Sequence, residues 1–110
     1  MKKNTTAKGM RAQALALAHL RAAGLVEVAR NVRCGGGELD LIVWHGTCLV
    51  FVEVRLRQSD AYGGALASVD WQKQRRLRRA AAAFLQQCRG YDRVACRFDV
   101  VGVNAADEIT

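Results

Sequence analysis

The stretch "CGGGELDLIVWHGTCLVFVEVRLR", Cys34–Arg57, decides the fold, because its two aliphatic runs each hold a carboxylate where burial is expected: Asp40 between leucines and Glu53 between valines. Runs rich in Val, Ile, Leu and Phe read as strands, here about Glu38–His45 and Cys48–Arg57. The segment "HGTC" between them predicts a two-residue hairpin with Gly46 at the first central position, a type II′ preference. If His45 faces Cys48, every opposed pair in the antiparallel ladder has residue numbers that total 93. Asp40 then lies across from Glu53 on one face, with alpha carbons about 4.5–5.5 Å apart, followed by Glu38 with Arg55, Ile42 with Phe51 and Trp44 with Leu49. The other face pairs Leu39 with Val54, Leu41 with Val52 and Val43 with Val50, an apolar surface that a helix should cover. The first face is apolar near the turn and charged at its far end, the pattern of a core that opens into a cleft.

Working outward, Leu15, Ala16, Leu20 and Ala23 recur at helical spacing and Gly24 stands where a helix C-terminal glycine belongs, predicting a helix from about Ala7 to Ala23. "LVEVARNVR" alternates apolar and polar residues as a strand does and is ended by Gly35–Gly37. After the loop "QSDAYGGA", a second helix is predicted from about Trp71 to Cys88, with Asp70 as N-cap. Leu77, Ala81, Phe84, Leu85 and Cys88 form its apolar stripe, and Arg75, Arg76, Arg78 and Arg79 lie largely off it. A last strand, "VACRFDVVGV", precedes the tail "NAADEIT". Helix, three strands, helix, strand is the order of an α/β domain with a mixed sheet and helices packed on it.

A chain of 110 residues suffices for one domain that buries roughly two thirds of its unfolded surface. A single domain over 1–110 is expected, with its core from about 9 to 103 and flexible ends at 1–8 and 104–110. Lys and Arg total 17 against 10 acidic residues, a formal charge of +7 carried mostly by Arg. That balance suits an anionic partner, nucleic acid first, and equally a protein that is merely soluble. No window reaches the ~18 uninterrupted apolar residues of a membrane span. The Ala/Leu run after "MKKNTTAKG" is broken by Gln13, His19 and Arg21, which argues against a signal peptide and makes the cytoplasm the default compartment. Cys34, Cys48, Cys88 and Cys96 show neither CxxC pairing nor zinc-site spacing and read as reduced, partly buried thiols.

Two carboxylates pointing the same way from adjacent strands repel each other and lose hydration, so without a cation one must take up a proton or move away. A hard divalent ion such as Mg²⁺, held by one or two carboxylates and several waters, removes the conflict and supplies a Lewis acid for phosphoryl chemistry. The alternative is that Asp40 and Glu53 reach solvent at a strand end and pair with Arg55, Arg57 or Lys73. Lys73 precedes Leu77 by four residues and Ala81 by eight, so it extends the apolar stripe of its helix and points inward near the positive N-terminal end. There it holds a phosphate or one of the carboxylates, or else snorkels to water.

The segments "RN", "GELDLI", "FVEVRLR", "YGGA", an isolated Lys73 before an Arg-rich helix, and "RFDVV" resemble, in order and spacing, the YraN-type family of small bacterial proteins. That family looks like a minimal member of the restriction-endonuclease-like superfamily, akin to Holliday-junction resolvases, with the PD-(D/E)xK type of site. The resemblance implies that Asp40 matches the superfamily's metal-binding aspartate and Glu53 its second carboxylate. It also implies Mg²⁺ or Mn²⁺ as cofactor. The superfamily's lysine two residues beyond the glutamate is here Arg55, which stays protonated and cannot act as a general base, although it can neutralise phosphate charge. Family members usually carry a "GxxGE"-like segment in the first helix, where "GMRAQ" places Gln13 instead of a metal-binding glutamate. Both departures bear on activity and leave the fold untouched.

Asn31 and Arg33, just before the glycines, read as loop caps or phosphate contacts, and Arg57, Tyr62 and Gly63 as the border of the cleft. Asp99 is expected to pair with an arginine such as Arg97 or with a basic residue of a neighbouring strand. Arg75, Arg76 and Arg79, with Arg78 among them, would neutralise phosphates whatever the sequence bound, or form a solvated face. The expectation is therefore a DNA-binding domain with a nuclease-like site, built of Asp40, Glu53, Arg55 and Lys73, acting on branched or single-stranded DNA. A catalytically decayed DNA-binding module and a protein-interaction scaffold are the competing readings. Junction-cutting relatives are two-fold, which leaves a homodimer open.

Overall fold

The structure, a computed structural model, describes residues 7–57, 69–88, 90, 91, 93–104, 106, 108 and 109, with the side chain of Arg57 excepted. In chain order they form α1 (Ala7–Ala22), β1 (Val26–Cys34), β2 (Gly37–His45), β3 (Cys48–Arg57), α2 (Trp71–Gln87) and β4 (Cys96–Asn104). The strands make one mixed sheet in the order β1-β2-β3-β4, antiparallel at the first two junctions and parallel at the third. This is the α/β order expected from the sequence, and β3 begins and ends where the hydrophobic run does. Among the described residues, no helix is long and apolar enough to cross a membrane.

The helices cover opposite faces of the sheet. On one face, Ala16, Leu17 and Leu20 of α1 meet Leu41, Val43, Val50, Val52 and Val101. On the other, Leu77, Ala80, Ala81 and Phe84 of α2 meet Leu39, Ile42, Leu49 and Phe51. Full burial of such side chains contributes about 1.5–3 kcal/mol each, so the two clusters hold the sheet between its helices. The α1 stripe differs from expectation: Gln13 and Leu17 are buried, whereas Leu15 is half-buried and Ala23 exposed. Helix α1 ends as its glycine predicts, with Gly24 at φ +93° and the Leu25 N–H donating to the Leu20 carbonyl at 3.0 Å.

The two hairpins fix the register. Gly46 has φ +64° and Thr47 keeps a negative φ, as a type II′ turn requires. The ladder runs from His45–Cys48 to Leu41–Val52 in the expected pairing. At the β1–β2 turn, Gly35 and Gly36 have φ +59° and +80°. Gly35 has a second reason to be glycine: a Cβ there would meet the Arg79 carbonyl oxygen at 2.7 Å, and one at Gly37 would meet the Arg76 carbonyl oxygen at 3.0 Å. The triple glycine thus lets the turn lie directly against the backbone of α2. Beyond β4, the Asn104 side chain accepts hydrogen bonds from the Ala106 and Glu108 N–H groups, both at 2.9 Å, and Ile109 bridges to Val103.

Candidate functional site

The ladder between β2 and β3 stops one residue short of the acids, and this break builds the site. Strict alternation puts Leu39 on the α1 face with Leu41, yet Leu39 belongs to the α2-side cluster, so β2 loses phase at Asp40. Strand β1 loses phase alongside it: Asn31 has φ +54°, and its neighbours Arg30 and Val32 pair with Leu41 and Leu39, the residues that flank Asp40. The expected pairings of Leu39 with Val54 and of Glu38 with Arg55 are consequently not part of the ladder, and Glu38 sits opposite Arg33 at 3.8 Å. Freed from the pleat, the Asp40 carboxylate accepts the Val54 N–H at 3.0 Å through Oδ2, replacing the ladder bond that the break removes.

Gln13, Asp40 and Glu53 are the buried polar side chains among the described residues, exposed by 6 %, 4 % and 5 %. Asp40 and Glu53 share this corner, and Gln13 approaches it from α1 through Asn31, which lies between the partners of Leu41 and Leu39. The Gln13 amide donates to the Asn31 side-chain oxygen at 2.9 Å, so Asn31 serves as a link from α1 to the broken strand pair and not as the loop cap expected from sequence.

Glu53 projects from β3 toward α2. Its Oε2 lies 3.3 Å from Arg55 Nη1 and 3.5 Å from Lys73 Nζ. Lys73 reaches it because Asp70 caps α2, accepting the Lys73 N–H at 2.8 Å and fixing the first turn over the strand. The ion-pair alternative posed by the sequence is met in part: Glu53 is paired with Arg55 and Lys73, but it is buried and not at the solvent. Its carboxyl is pushed above the ordinary carboxylate range, by burial first and by the Asp40 charge second, with Lys73 and Arg55 acting against both. Glu53 Oε1 is buried with no donor in reach. The Asp40 carboxylate can share a hydrogen bond with it only when one of the two holds a proton, so at full ionisation that oxygen is orphaned.

The arginines of α2 are all exposed. Arg75 stacks its guanidinium 4.8 Å from the centroid of the Trp71 ring. Arg76 borders a depression with Arg33, Glu38 and the glycine turn, and Arg78 borders a cavity that includes Glu53. The Arg79 backbone carbonyl lies close against the turn at Gly35. Arg97 and Asp99 form the expected pair, Nε to Oδ1 at 3.1 Å. Arg57 ends β3, while its side chain, Tyr62 and Gly63 lie outside the described residues. Sequence reading missed Phe98, which is stacked on Phe51 with ring centroids 5.3 Å apart and is 44 % exposed. Its signal was an aromatic residue in phase with Val100 on an edge strand.

Residues 12–103, which span α1, the sheet, the broken strand pair and α2, match the family described as "Uncharacterised protein family UPF0102". The chain belongs to the UPF0102 family. A family member from Pseudomonas aeruginosa is 49 % identical over 100 residues, covering 91 % of this chain and 80 % of its own length. One from Alkalilimnicola ehrlichii is 54 % identical over 93 residues, covering 84 % and 74 %. One from Stutzerimonas stutzeri is 50 % identical over 97 residues, covering 88 % and 81 %. The family resemblance carried by "GELDLI" and "FVEVRLR" is thereby borne out. UPF0102 membership covers all the residues of the acid corner, from Gln13 on α1 to Lys73 on α2.

Proposed function

We propose that this protein binds DNA and carries a nuclease-like divalent-cation site at Asp40 and Glu53, cleaving phosphodiesters of branched or single-stranded DNA. The observation that carries the reading is the orphaned Glu53 Oε1, buried beside a second carboxylate. A protein gains nothing in stability from two adjacent desolvated acids, so their retention is explained by a cation that both can hold. Two hard carboxylates are the donor type that suits Mg²⁺ or Mn²⁺; among the described residues no group of three His, Cys, Asp or Glu stands together, so such a cation would depend on water and phosphate oxygens for its other positions.

When bound, such a cation supplies Lewis-acid polarisation of the phosphate and of an attacking water. The chain's own residues do the rest. Val54 N–H holds the Asp40 carboxylate in position. Lys73 and Arg55, each within 3.5 Å of Glu53, present two positive charges where a phosphate would accumulate negative charge. Arg55 stabilises charge without accepting a proton. The exposed arginines of α2 continue this field along the helix and would track a phosphate backbone.

An assay on branched, single-stranded and duplex DNA with Mg²⁺ or Mn²⁺ tests the reading. Cleavage that Asp40→Ala abolishes is expected; no cleavage of any substrate, with wild type and variant alike, would overturn the enzymatic part. Arg55 in the place of a lysine, and Gln13 in the place of an anionic ligand, favour a second reading, a DNA-binding module whose site has decayed. In that case DNA affinity survives chelation of divalent cations and Mn²⁺ titration calorimetry gives the same trace for wild type and Asp40→Asn.

A further inference from the structure

Next to Glu53, on the α2 face of the sheet, a cavity of about 200 Å³ opens among the described residues. Its lining is mostly apolar: Leu39 and Phe51 from the sheet, Leu77 from α2, Val69 from just before it, and Phe98 from the edge strand. Polar groups stand around it in a mixed set, with Glu53 as an acceptor, Arg78 as a donor and the Gln74 amide able to be either. We propose that this cavity receives one unstacked nucleobase of a strand whose phosphate lies at the acid pair, an inference that rests on the nucleic-acid reading above and narrows its substrate to DNA with an unpaired base beside the bound phosphate.

Three observations commit the cavity to that occupant. Its size is below the ~300–1,000 Å³ of sites for drug-sized ligands and suits a single ring system. Phe98 and Phe51 are stacked with ring planes 28° apart, and Phe98 remains 44 % exposed, so an aromatic platform is held in place from below and open above. Bases stack on such platforms whatever their identity. Lastly, Glu53 lies in the cavity wall two residues along β3 from Phe51, a separation of about 6.8 Å in a strand, which is within the reach of one nucleotide from its phosphate to a base. The charge around the mouth agrees: Arg78 stands at the cavity, and Arg75, Arg76 and Arg79 lie on the same helix for the phosphates that follow. Fully paired duplex offers no base to this position, so strands with a gap, flap or junction are preferred.

The test is a scan of single abasic sites through a short single-stranded oligonucleotide, with affinity for the full chain read by fluorescence anisotropy in Ca²⁺ and strand integrity checked on a gel. One position is expected at which loss of the base weakens binding by about five- to 140-fold, the ~1–3 kcal/mol of a base stacked on an aromatic ring converted at ~1.4 kcal/mol per decade. Phe98→Ala should weaken binding of the intact oligonucleotide by a similar factor and leave the abasic one unchanged. If the oligonucleotide binds but every abasic position stays within twofold, the base pocket is wrong while the nucleic-acid reading stands. If Phe98→Ala weakens intact and abasic strands alike, Phe98 supports the fold and the pocket is equally wrong. If no oligonucleotide binds, both readings fall; the abasic scan needs no variant, so misfolding of Phe98→Ala cannot hide any of these results.

Discussion

Glu53 concentrates the conflict on which the site depends. Burial and the neighbouring Asp40 raise its carboxyl, so the folded state binds a proton more tightly than the unfolded state does. The sign follows: in cation-free protein this group's contribution is most favourable below its unfolded value near 4.5 and is lost as pH rises through the raised folded value. Glu53→Gln should flatten that slope in chelator and raise the melting temperature at pH 7. The same variant should lose Mn²⁺ binding by calorimetry, so stability and cation affinity move in opposite directions. Gln13 offers the converse change. Its neighbourhood already accommodates a side chain of glutamate's length, and Asn31 can rotate its amide to donate where it now accepts. Gln13→Glu is expected to tighten Mn²⁺ binding about tenfold, on the scale that ligand-shell changes typically produce; unchanged affinity would place Gln13 outside the cation's reach.

At the scale of elements, the β1–β2 turn, packed on the middle of α2, and the cap at the N-terminus of that helix set the geometry together. Gly35→Ala combines a left-handed backbone with a Cβ pressed onto the Arg79 carbonyl, whereas Gly36→Ala has the backbone strain alone, with nothing within 4 Å. Chemical denaturation should therefore show a loss of about 1–2 kcal/mol for Gly36→Ala and a larger one for Gly35→Ala. At the helix N-terminus, Asp70→Ala removes the cap that orients Lys73 and is expected to cost about 1 kcal/mol of stability. DNA binding should suffer more than cation binding in that variant if Lys73 serves a bound phosphate as well as Glu53. The out-of-phase residues Asp40 and Asn31 belong to this scale too. A regular ladder would have sent Leu39 to the α1 face and kept the Val54 N–H on a backbone carbonyl; the break places an acid at that N–H instead.

For the whole molecule, the relevant quantity is the charge of +7 and its uneven distribution. DNA affinity should fall linearly with salt on logarithmic axes. Replacing Arg75, Arg76 and Arg79 together by Gln should reduce the slope by about 2–3, at ~0.7–0.9 for each phosphate no longer neutralised, with the helix intact because all three side chains are exposed. A slope unchanged by the triple substitution would assign these arginines to solvation, and the basic surface would need another explanation.

The sequence alone determined the element order, the two-layered cover of the sheet and the hairpin register, because these follow from local chemistry: period-two and helical spacing, a glycine at a tight turn, a capping aspartate. It also brought Asp40 and Glu53 near one another and turned Lys73 inward. Only the tertiary structure decided how the acids are held. Their burial, the phase break at Asp40 and Asn31, the reach of Gln13 from α1 and the open cavity under Phe98 arise where three elements meet, and such a junction leaves no periodicity for a single strand or helix to record. The glycines show the same division: a turn accounts for Gly35 and Gly36 from the chain itself, but the close approach that leaves no room for a side chain at Gly37 comes from a helix almost forty residues away.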